Sequence, residues 1–467
     1  MSETERPALL SQLRKLLGQS AVYGLADVLP GLLGLLLAPL LTRLMTPAEY
    51  GALALLGLFS SLCKIVFRLG LDGAFLRLHY DQAGEGEQRL LVGTTVLFSA
   101  AAGTALGVLV LLGVGPLTHA LFAEAATPRD WILLTASDIY LAAFSFVPQA
   151  LLRIQDRVRL FSGLNLARQT LNLALKVVLL LMGFGVTGVL VSDLLATALF
   201  ALALLPTLSR HLALSFSWRL LGDLLGFGLP KVPHGFMLQV QNLADRRILR
   251  EFVSLSDVGI YNVGYAFGNT VKFAISAFEP AWAPFIYSQA GRPGGQGALA
   301  RLVTYVLAGF TYCALGVAVL GREVVRVMTA PAFHDAAAVV PIVALAYWLH
   351  GLFLLTSIGI GIQKRAGYYP LLTLASAATN LAGNFLLIPH FGVLGAAWAT
   401  VASYLVMAVL GLAVSRRLYP MPLEVGRLLR LAVVAALVFA LSRLAPTGLG
   451  PALAVKAGLL LAFPALL

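Results

Sequence analysis

The chain has 467 residues, of which 59% are hydrophobic and 12% are charged, and its formal net charge is +12. Charged residues make up roughly a quarter of soluble globular domains, so this composition excludes an ordinary soluble protein and makes lipid the solvent for most of the chain. The two cysteines, Cys63 and Cys313, both lie in apolar runs, which excludes a disulfide framework and a cysteine-based metal cluster.

The N-terminal segment predicts a helix that lies along the membrane surface. Its leucines at positions 9, 10, 13, 16 and 17 share one helical face, and polar residues occupy the other side. The polar start and the lack of a cleavage motif argue against a secretory signal. We therefore assign residues 1–18 to an amphipathic N-terminal segment.

Apolar runs of roughly 20 residues, the length of a helix that crosses the hydrocarbon core, recur along the rest of the chain. They predict an all-α integral membrane protein with about fourteen transmembrane helices. The predicted ranges are 19–42, 48–70, 90–113, 131–152, 160–183, 186–207, 228–250, 257–280, 302–321, 337–361, 368–389, 392–415, 424–444 and 447–466.

Lysine and arginine concentrate in alternate connections, as at Arg153–Arg159 and at Arg416 and Arg417. This positive-inside pattern places both termini in the cytoplasm. Anionic lipid headgroups, rather than nucleic acid, then account for much of the net charge. The other connections are poor in these residues, with two exceptions around Arg246–Arg250 and Arg322–Arg326.

Two short stretches that begin helices repeat one another. TPAEYG (Thr46–Gly51) and SLSDVG (Ser254–Gly259) start 208 positions apart, and each has the spacing of a capping box. The same offset aligns polar residues and glycines, which match by chance far less often than leucine. These matches are IQDR (Ile154–Arg157) with IQKR (Ile362–Arg365), Asn172 with Asn380, Lys64 with Lys272, and, after one deleted residue, Gly185 and Gly188 with Gly392 and Gly395.

These matches indicate an internal repeat of about six spans. Because six is even, the two copies have the same orientation, related by a pseudo-twofold axis along the membrane normal, with a substrate cavity between two lobes. We predict an N-lobe at 19–212, an interfacial linker helix at 213–227, a C-lobe at 228–420 and two additional helices at 421–467. This is a transporter-type architecture.

One face of the fifth span carries Arg168, Asn172 and Lys176, which are spaced four residues apart. The repeat places Ser376, Asn380 and Asn384 in the same stripe of the eleventh span. Ionisable groups inside a membrane normally face the bundle interior or a watery cavity, so these residues are candidates for a substrate-binding cavity wall. The alternative is interhelical hydrogen bonding, with a lysine that reaches the membrane surface.

Lys64 and Lys272 are a candidate pair because the repeat places them at equivalent depths in the second and eighth spans. Two cations that converge on one cavity suit a diphosphate, which needs several hydrogen-bond donors. The alternative is that both lysines extend to the cytoplasmic headgroups.

Isolated carboxylates in apolar sequence are candidates to carry a coupling proton or to bind Na⁺. Asp27 leads, because Ser20, Tyr23, Gly31 and Gly34 lie on its side of the first span, and Glu279 and Asp138 follow. The alternative is a charge partner for Arg168 or for a lysine, and this applies to Asp193 as well.

The seventh span carries Lys231, His234, Gln241 and Asp245 on about one face. The seven histidines of the chain are scattered, and the sequence has no Gly-x-x-x-x-Gly-Lys-Ser/Thr phosphate loop. We therefore expect neither a catalytic centre nor a bound cofactor.

Four stretches together resemble the Wzx-type polysaccharide flippases of the multidrug/oligosaccharidyl-lipid/polysaccharide exporter superfamily. They are LAPLLTRLMTPAEYG (Leu37–Gly51), GLPKVPHGFMLQVQNLADRRIL (Gly228–Leu249), SLSDVGIYNVGYAFG (Ser254–Gly268) and FEPAWAPFIYS (Phe278–Ser288).

The resemblance implies two six-helix lobes plus two C-terminal helices, in the inner membrane of a bacterium. It implies export of an undecaprenyl-diphosphate-linked oligosaccharide for O-antigen lipopolysaccharide, capsule or exopolysaccharide, with the polymerase machinery as a further candidate partner. Lys64 and Lys272 match the placement of cations that related lipid II flippases use for the diphosphate. Those relatives have an Arg-Asp pair in the first span, whereas only Asp27 is present here.

Three other functions are weaker interpretations. A multidrug exporter of the same superfamily would need a more acidic cavity for cationic drugs. A membrane glycan polymerase or glycosyltransferase would need a sizeable extracytoplasmic loop, which the short connections do not provide. A scaffold that transports nothing would not explain charged stripes inside a repeat.

Overall fold

A computed structural model describes residues 31, 34–82, 84–122, 129–290, 295–446 and 448–466. Within these ranges the chain forms helices and short connections and contains no strand, so the all-α fold class is confirmed. The amphipathic segment 1–18 and Asp27 lie outside the described residues. The helices are α1 (Gly34–Leu44), α2 (Pro47–Arg68), α3 (Leu71–Asp81), α4 (Glu85–Leu112), α5 (Val114–Phe122), α6 (Arg129–Ala143), α7 (Phe146–Ile154), α8 (Val158–Leu181), α9 (Gly185–His211), α10 (Trp218–Gly228), α11 (Val232–Phe252), α12 (Leu255–Gly268), α13 (Val271–Ala290), α14 (Gly295–Met328), α15 (Val340–Thr356), α16 (Ile358–Ile362), α17 (Tyr368–Leu418), α18 (Val425–Ser442) and α19 (Leu449–Leu466).

Ten helical stretches among the described residues are long and apolar enough to cross a membrane. The chain is therefore a multi-pass membrane protein, and the number fourteen stays a prediction. One of the ten, Tyr368–Leu418, covers the two predicted spans 368–389 and 392–415. Its two halves meet at Gly392, whose φ of 53° and ψ of −131° are not helical.

Several predicted spans are interrupted in the structure. The predicted span 257–280 is divided between α12 and α13, and the break lies at Asn269 and Thr270. The predicted span 131–152 is divided between α6 and α7. Hydrophobic length alone does not signal these breaks, because each predicted span is apolar enough over its whole length to cross a membrane.

The backbone repeats its unusual conformations at the offset that the sequence predicted. Asp156 and Lys364, which occupy the third position of IQDR and IQKR, both have a φ of 55°. Gly185 and Gly392, aligned after the one-residue deletion, have φ values of 51° and 53°. Left-handed residues other than glycine are uncommon, so this recurrence supports the repeat independently of the matching letters.

The described residues divide into two compact units. The first unit contains Ala52–Arg250, and the second contains Gly34–Gly51 together with the chain from Glu251 onward. This division follows contacts rather than the repeat, and it groups α11 with the helices that precede it. The predicted lobe boundaries therefore remain predictions.

The linker helix α10 packs into the core of the first unit. Ser217 precedes it, and its hydroxyl accepts a hydrogen bond from the backbone N–H of Leu220, which satisfies one free donor of the first turn. Leu220 and Leu224 point inward and join a cluster with Leu71, Phe75 and other residues of α3, α4 and α7. The outward face keeps Trp218 79% exposed, as a helix at a lipid surface requires.

The two capping boxes contact each other within the second unit. Both are formed. The Glu49 carboxylate accepts from the Thr46 backbone N–H at 2.8 Å, and the Thr46 hydroxyl accepts from the Glu49 backbone N–H at 3.2 Å. Ser254 and Asp257 form the same two bonds with each other. A Cβ on Gly51 would overlap the carbonyl oxygen of Leu255, and a Cβ on Gly259 would overlap that of Pro47. Only glycine allows the first turns of α2 and α12 to approach this closely.

Candidate functional site

A cavity of about 370 Å³ in the first unit is lined by three cationic side chains. Lys64 and Arg68 come from the second half of α2, and Lys231 comes from the short 3₁₀ turn before α11. Ser61 and Gln239 add neutral hydrogen-bonding groups to the wall. Lys64 was expected at a cavity, and the structure adds Arg68 and Lys231 beside it.

A glycine contact positions this cavity. The chain after α2 turns through Gly70, which has a φ of 72°, and a Cβ there would overlap the backbone of Gly228. A Cβ on Gly228 would in turn lie 2.6 Å from the carbonyl oxygen of Leu69. The end of α2 therefore lies directly against the residues before α11, which brings Lys231 to the Lys64 side of the unit.

The three cations differ in how far they are already neutralised. Arg68 forms an ion pair with Asp72 at 2.9 Å, and both side chains are partly exposed. The ammonium of Lys231 lies 4.0 Å from the centroid of the Phe227 ring, a cation–π contact. Lys64 is half-buried and forms no hydrogen bond or ion pair with the residues that the structure describes. An anion in this cavity would therefore find Lys64 free to donate.

A polar network lies between α6, α8 and α9. The guanidinium of Arg168 donates to the Thr197 hydroxyl at 3.2 Å, and that hydroxyl donates to the Asp138 carboxylate at 2.5 Å. Arg168 also lies over the Phe200 ring, 5.2 Å from its centroid. Thr197 thus bridges a predicted binding residue and a predicted coupling carboxylate, a role that the sequence did not reveal.

The rest of the predicted stripe on α8 contacts Asp193 of α9. The Asn172 amide donates to Asp193 at 2.7 Å, and the Lys176 ammonium lies 2.8 Å from the same oxygen. The three stripe residues therefore share one face, as their spacing predicted. Their contacts are those of the interhelical alternative, and a role in substrate binding remains a proposal.

Lys64 connects the cavity with this network. The carboxylates of Asp138 and Asp193 attract its charge, and the guanidinium groups of Arg168 and Arg68 repel it. Charges inside a low-dielectric protein act on each other over several ångströms, so a change at one of these groups alters the others. The first unit therefore contains one coupled set of charges rather than isolated sites.

The equivalent stripe of the second unit is buried and uncharged. Asn380 and Asn384 are 1% and 0% exposed, and the Asn384 amide donates to the Asn380 carbonyl oxygen at 3.0 Å. The Ser376 hydroxyl donates to the backbone carbonyl of Ser403 at 2.9 Å. These residues lie inside the helix packing in this structure, and their predicted place at a cavity wall is still a proposal.

Lys272 and Glu279 both lie exposed on α13 of the second unit. Lys272 is in the first turn, directly after the break at Asn269 and Thr270. Its charge acts on His350 of α15, a histidine that the sequence did not single out. The His350 ring packs on Tyr404, with 5.1 Å between the two ring centroids. The convergence of Lys272 with Lys64 stays a prediction.

Metal-binding clusters of three or more His, Cys, Asp or Glu residues are absent from the ranges that the structure describes. Both cysteines are free, Cys63 in the first unit and Cys313 in the second. What the site offers is charge and hydrogen bonding for an anion.

Comparison with known proteins identifies the family. The family model described as polysaccharide biosynthesis protein matches residues 40–328. The chain belongs to this family. It is also 24% identical, over 287 residues, to Lsg locus protein 1 of Haemophilus influenzae, an alignment that covers 58% of this chain and 66% of that relative. This polysaccharide biosynthesis protein thus spans just under two-thirds of the length of the relative.

Solved structures show the same fold. The lipid II flippase MurJ in an inward closed conformation matches with a TM-score of 0.76 and 14% identity, over 94% of this chain and 97% of that one. A multidrug resistance MATE family transporter in an inward-facing conformation matches with a TM-score of 0.60 and 16% identity, over 85% and 94%. The Vibrio cholerae MATE transporter VcmN matches with a TM-score of 0.56 and 16% identity, over 89% and 98%. These structures are of flippases and transporters rather than enzymes, and the predicted exporter-superfamily fold is confirmed.

Proposed function

We propose that the protein is a flippase that moves an undecaprenyl-diphosphate-linked oligosaccharide repeat unit from the cytoplasmic to the periplasmic leaflet by alternating access. Membership of the polysaccharide biosynthesis family supports a glycan cargo, and the fold supports movement across a membrane. The single observation that carries the proposal is the cavity lined by Lys64, Arg68 and Lys231.

A diphosphate fits this cavity chemically. It carries several anionic oxygens, and charge-assisted hydrogen bonds from cationic donors are roughly twice as strong as neutral ones. Lys64 supplies an ammonium that no described residue pairs, Lys231 supplies a second ammonium, and Arg68 supplies a guanidinium that can exchange Asp72 for phosphate. In the predicted topology this end of α2 faces the cytoplasm, where the cargo would be loaded.

The remaining predicted binding residues act around this point. Arg168 adds a positive charge that acts on Lys64, and Asn172 and Lys176 hold Asp193 in place. In the second unit Lys272 contributes a further cation to the cargo, and Asn380 and Asn384 contribute neutral polar groups. A cationic drug, the cargo of the rival multidrug exporter, would be repelled by this set of charges.

Asp138 is the described carboxylate best connected for ion coupling. It accepts from the Thr197 hydroxyl, which in turn accepts from Arg168, so an ion bound at Asp138 would act on the neighbouring cations without touching the cargo. Glu279 and Asp27 remain the other two candidates for coupling to H⁺ or Na⁺.

The proposal is tested by surface polysaccharide in cells that depend on this protein. Lys64→Ala combined with Lys231→Ala is expected to abolish the polymer and to cause undecaprenyl-linked repeat units to accumulate, at equal protein level in the membrane. Lys364→Ala, in an exposed connection, is the matched control and should leave the polymer unchanged.

A second comparison separates the pair found in the cavity from the pair predicted by the repeat. The double variant Lys64→Ala/Lys272→Ala, in which both repeat-related lysines are removed, is assayed for surface polysaccharide in the same cells. Normal polymer in both double variants would remove these lysines from the mechanism and favour another cargo.

A further inference from the structure

Two connections break the positive-inside pattern, and the structure explains one of them. Arg247 and Arg250, after the middle of α11, donate to the carbonyl oxygens of Ala120 and Phe122 at the end of α5. Cationic groups at a helix C-terminus satisfy free carbonyls and interact favourably with the helix dipole. Among the described residues, the arginines of the other connection, Arg322 and Arg326 on the last turns of α14, donate to no helix-end carbonyl.

A second cavity, of about 650 Å³, lies beside Arg322 and Arg326 in the second unit. Its wall is formed by the end of α14, the 3₁₀ segment Pro331–Ala338, and the facing ends of α18 and α19. Arg443, directly after α18, contributes a third guanidinium. All three arginines are exposed, and none forms an ion pair within the described part of the chain.

The other charges of this wall leave the cavity positive. Lys456 and Glu323 form a buried ion pair, with the ammonium 2.8 and 2.7 Å from the two carboxylate oxygens, so they neutralise each other. Three guanidinium groups then face one carboxylate, Asp335, which leaves an excess of two positive charges. His334 also lines the cavity, and its Nε2 is buried without a hydrogen-bond partner among the described residues.

The cavity lies at the ends of α14 and α18, two helices that are long and apolar enough to cross a membrane. Arginines at helix ends mark the headgroup level, and the last turn of α18 and the residues directly after it keep lipid-type side chains outward, with Leu441 49% and Leu444 81% exposed. In the predicted topology these ends face the periplasm. A lipid of the outer leaflet of this membrane would thus bring its phosphate to the height of the three arginines.

We infer that this second cavity binds a phosphate group, held by Arg322, Arg326 and Arg443 and brought there by an anionic lipid headgroup. The planar donor fork of arginine matches phosphate oxygens, and unpaired guanidinium groups around one cavity are otherwise electrostatically unfavourable. This site is separate from the proposed cargo cavity of the first unit and involves different helices.

The test uses the purified full-length protein in mild detergent. Native mass spectrometry counts phosphatidylglycerol and phosphatidylcholine molecules that remain bound to wild type and to the triple variant Arg322→Gln/Arg326→Gln/Arg443→Gln. A control variant, Arg301→Gln/Arg416→Gln/Arg417→Gln, removes three exposed arginines elsewhere on the second unit. In a parallel arm, the melting temperature is measured against inorganic phosphate, with chloride at constant ionic strength as the reference.

Losing three charge-assisted contacts should weaken selective phosphatidylglycerol retention by about tenfold or more, while the control variant behaves like wild type. A second outcome is that inorganic phosphate raises the melting temperature of wild type and control but not of the triple variant, while none of the three retains phosphatidylglycerol selectively. The phosphate site then stands, and its ligand comes from the aqueous side. Equal behaviour of the triple variant and wild type in both arms would overturn the site, and so would an equal loss in the control.

If the triple variant aggregates, Arg326→Gln/Arg443→Gln takes its place. These measurements do not involve transport, so their outcome is independent of the flippase proposal.

Discussion

Breaking the buried ion pair between Glu323 and Lys456 should destabilise the second unit strongly. The two side chains are 7% and 8% exposed, and the ammonium contacts both carboxylate oxygens. Glu323→Leu would leave a buried ammonium without a counter-charge, and Lys456→Met would leave a buried carboxylate. Removing one partner of such a pair typically costs about 3–5 kcal/mol of unfolding free energy.

The double variant Glu323→Leu/Lys456→Met removes both charges together. Because a buried pair can often be replaced by apolar residues at little cost, we expect the double variant to lie within about 1 kcal/mol of wild type. The two single costs add, so the double-mutant cycle would then give a coupling energy of about 6–10 kcal/mol. Denaturant titration of the purified protein in detergent measures each corner of the cycle.

The pair Arg427–Glu424, at the start of α18, is the control. Its side chains are 61% and 24% exposed, so its cycle should give about 0–1 kcal/mol. If the buried cycle gave as little as this control, the two groups would have to be hydrated, and the burial on which the estimate depends would be wrong.

Three further substitutions test the contacts that build the fold and the network. Gly259→Ala should lower the unfolding free energy by roughly 2 kcal/mol because the new methyl group overlaps the backbone at Pro47. Gly57→Ala is the control, since open space surrounds that residue. Equal stability of both variants in denaturant titrations would contradict the contact. Gly70→Ala forces an L-residue into a left-handed conformation, at roughly 1–2 kcal/mol, and should reduce folded yield in fluorescence-detected gel filtration; a wild-type profile would speak against the turn. Thr197→Val removes the hydroxyl that links the Arg168 guanidinium to the Asp138 carboxylate, and it should reduce surface polymer several-fold at equal protein level. Thr95→Val is the control, because the Thr95 hydroxyl donates to the Leu91 carbonyl of its own helix. Unchanged polymer in both variants would exclude Thr197 from transport.

The all-helical, multi-pass character was predictable because the hydrophobic requirement for crossing a bilayer applies to each stretch of sequence separately, whereas the number of fourteen spans stays a prediction. The repeat was predictable as well, since polar and glycine matches such as Asn172 with Asn380 survive where leucine matches carry no information. The helix breaks were not predictable. The turn at Gly70 depends on the backbone of Gly228, which is distant in sequence, and no local pattern reports that contact.

The candidate site shows the same division between local and distant information. Spacing placed Arg168, Asn172 and Lys176 on one face of a helix, but which carboxylate each would meet depended on how α8 and α9 pack. Lys231 was recognised as a polar residue of its helix, and its position beside Lys64 required the folded chain. Charges in apolar sequence can thus be identified from sequence, while their partners come from the structure.

The contact between the two capping boxes is reciprocal. Gly51 faces the carbonyl of Leu255 and Gly259 faces that of Pro47, and Pro47 and Leu255 are themselves 208 positions apart. Two identical copies related by a twofold axis make this kind of isologous contact, in which each surface is its own complement. Each glycine is therefore constrained on its own account, since a Cβ on either residue would meet a backbone carbonyl of the opposite helix start.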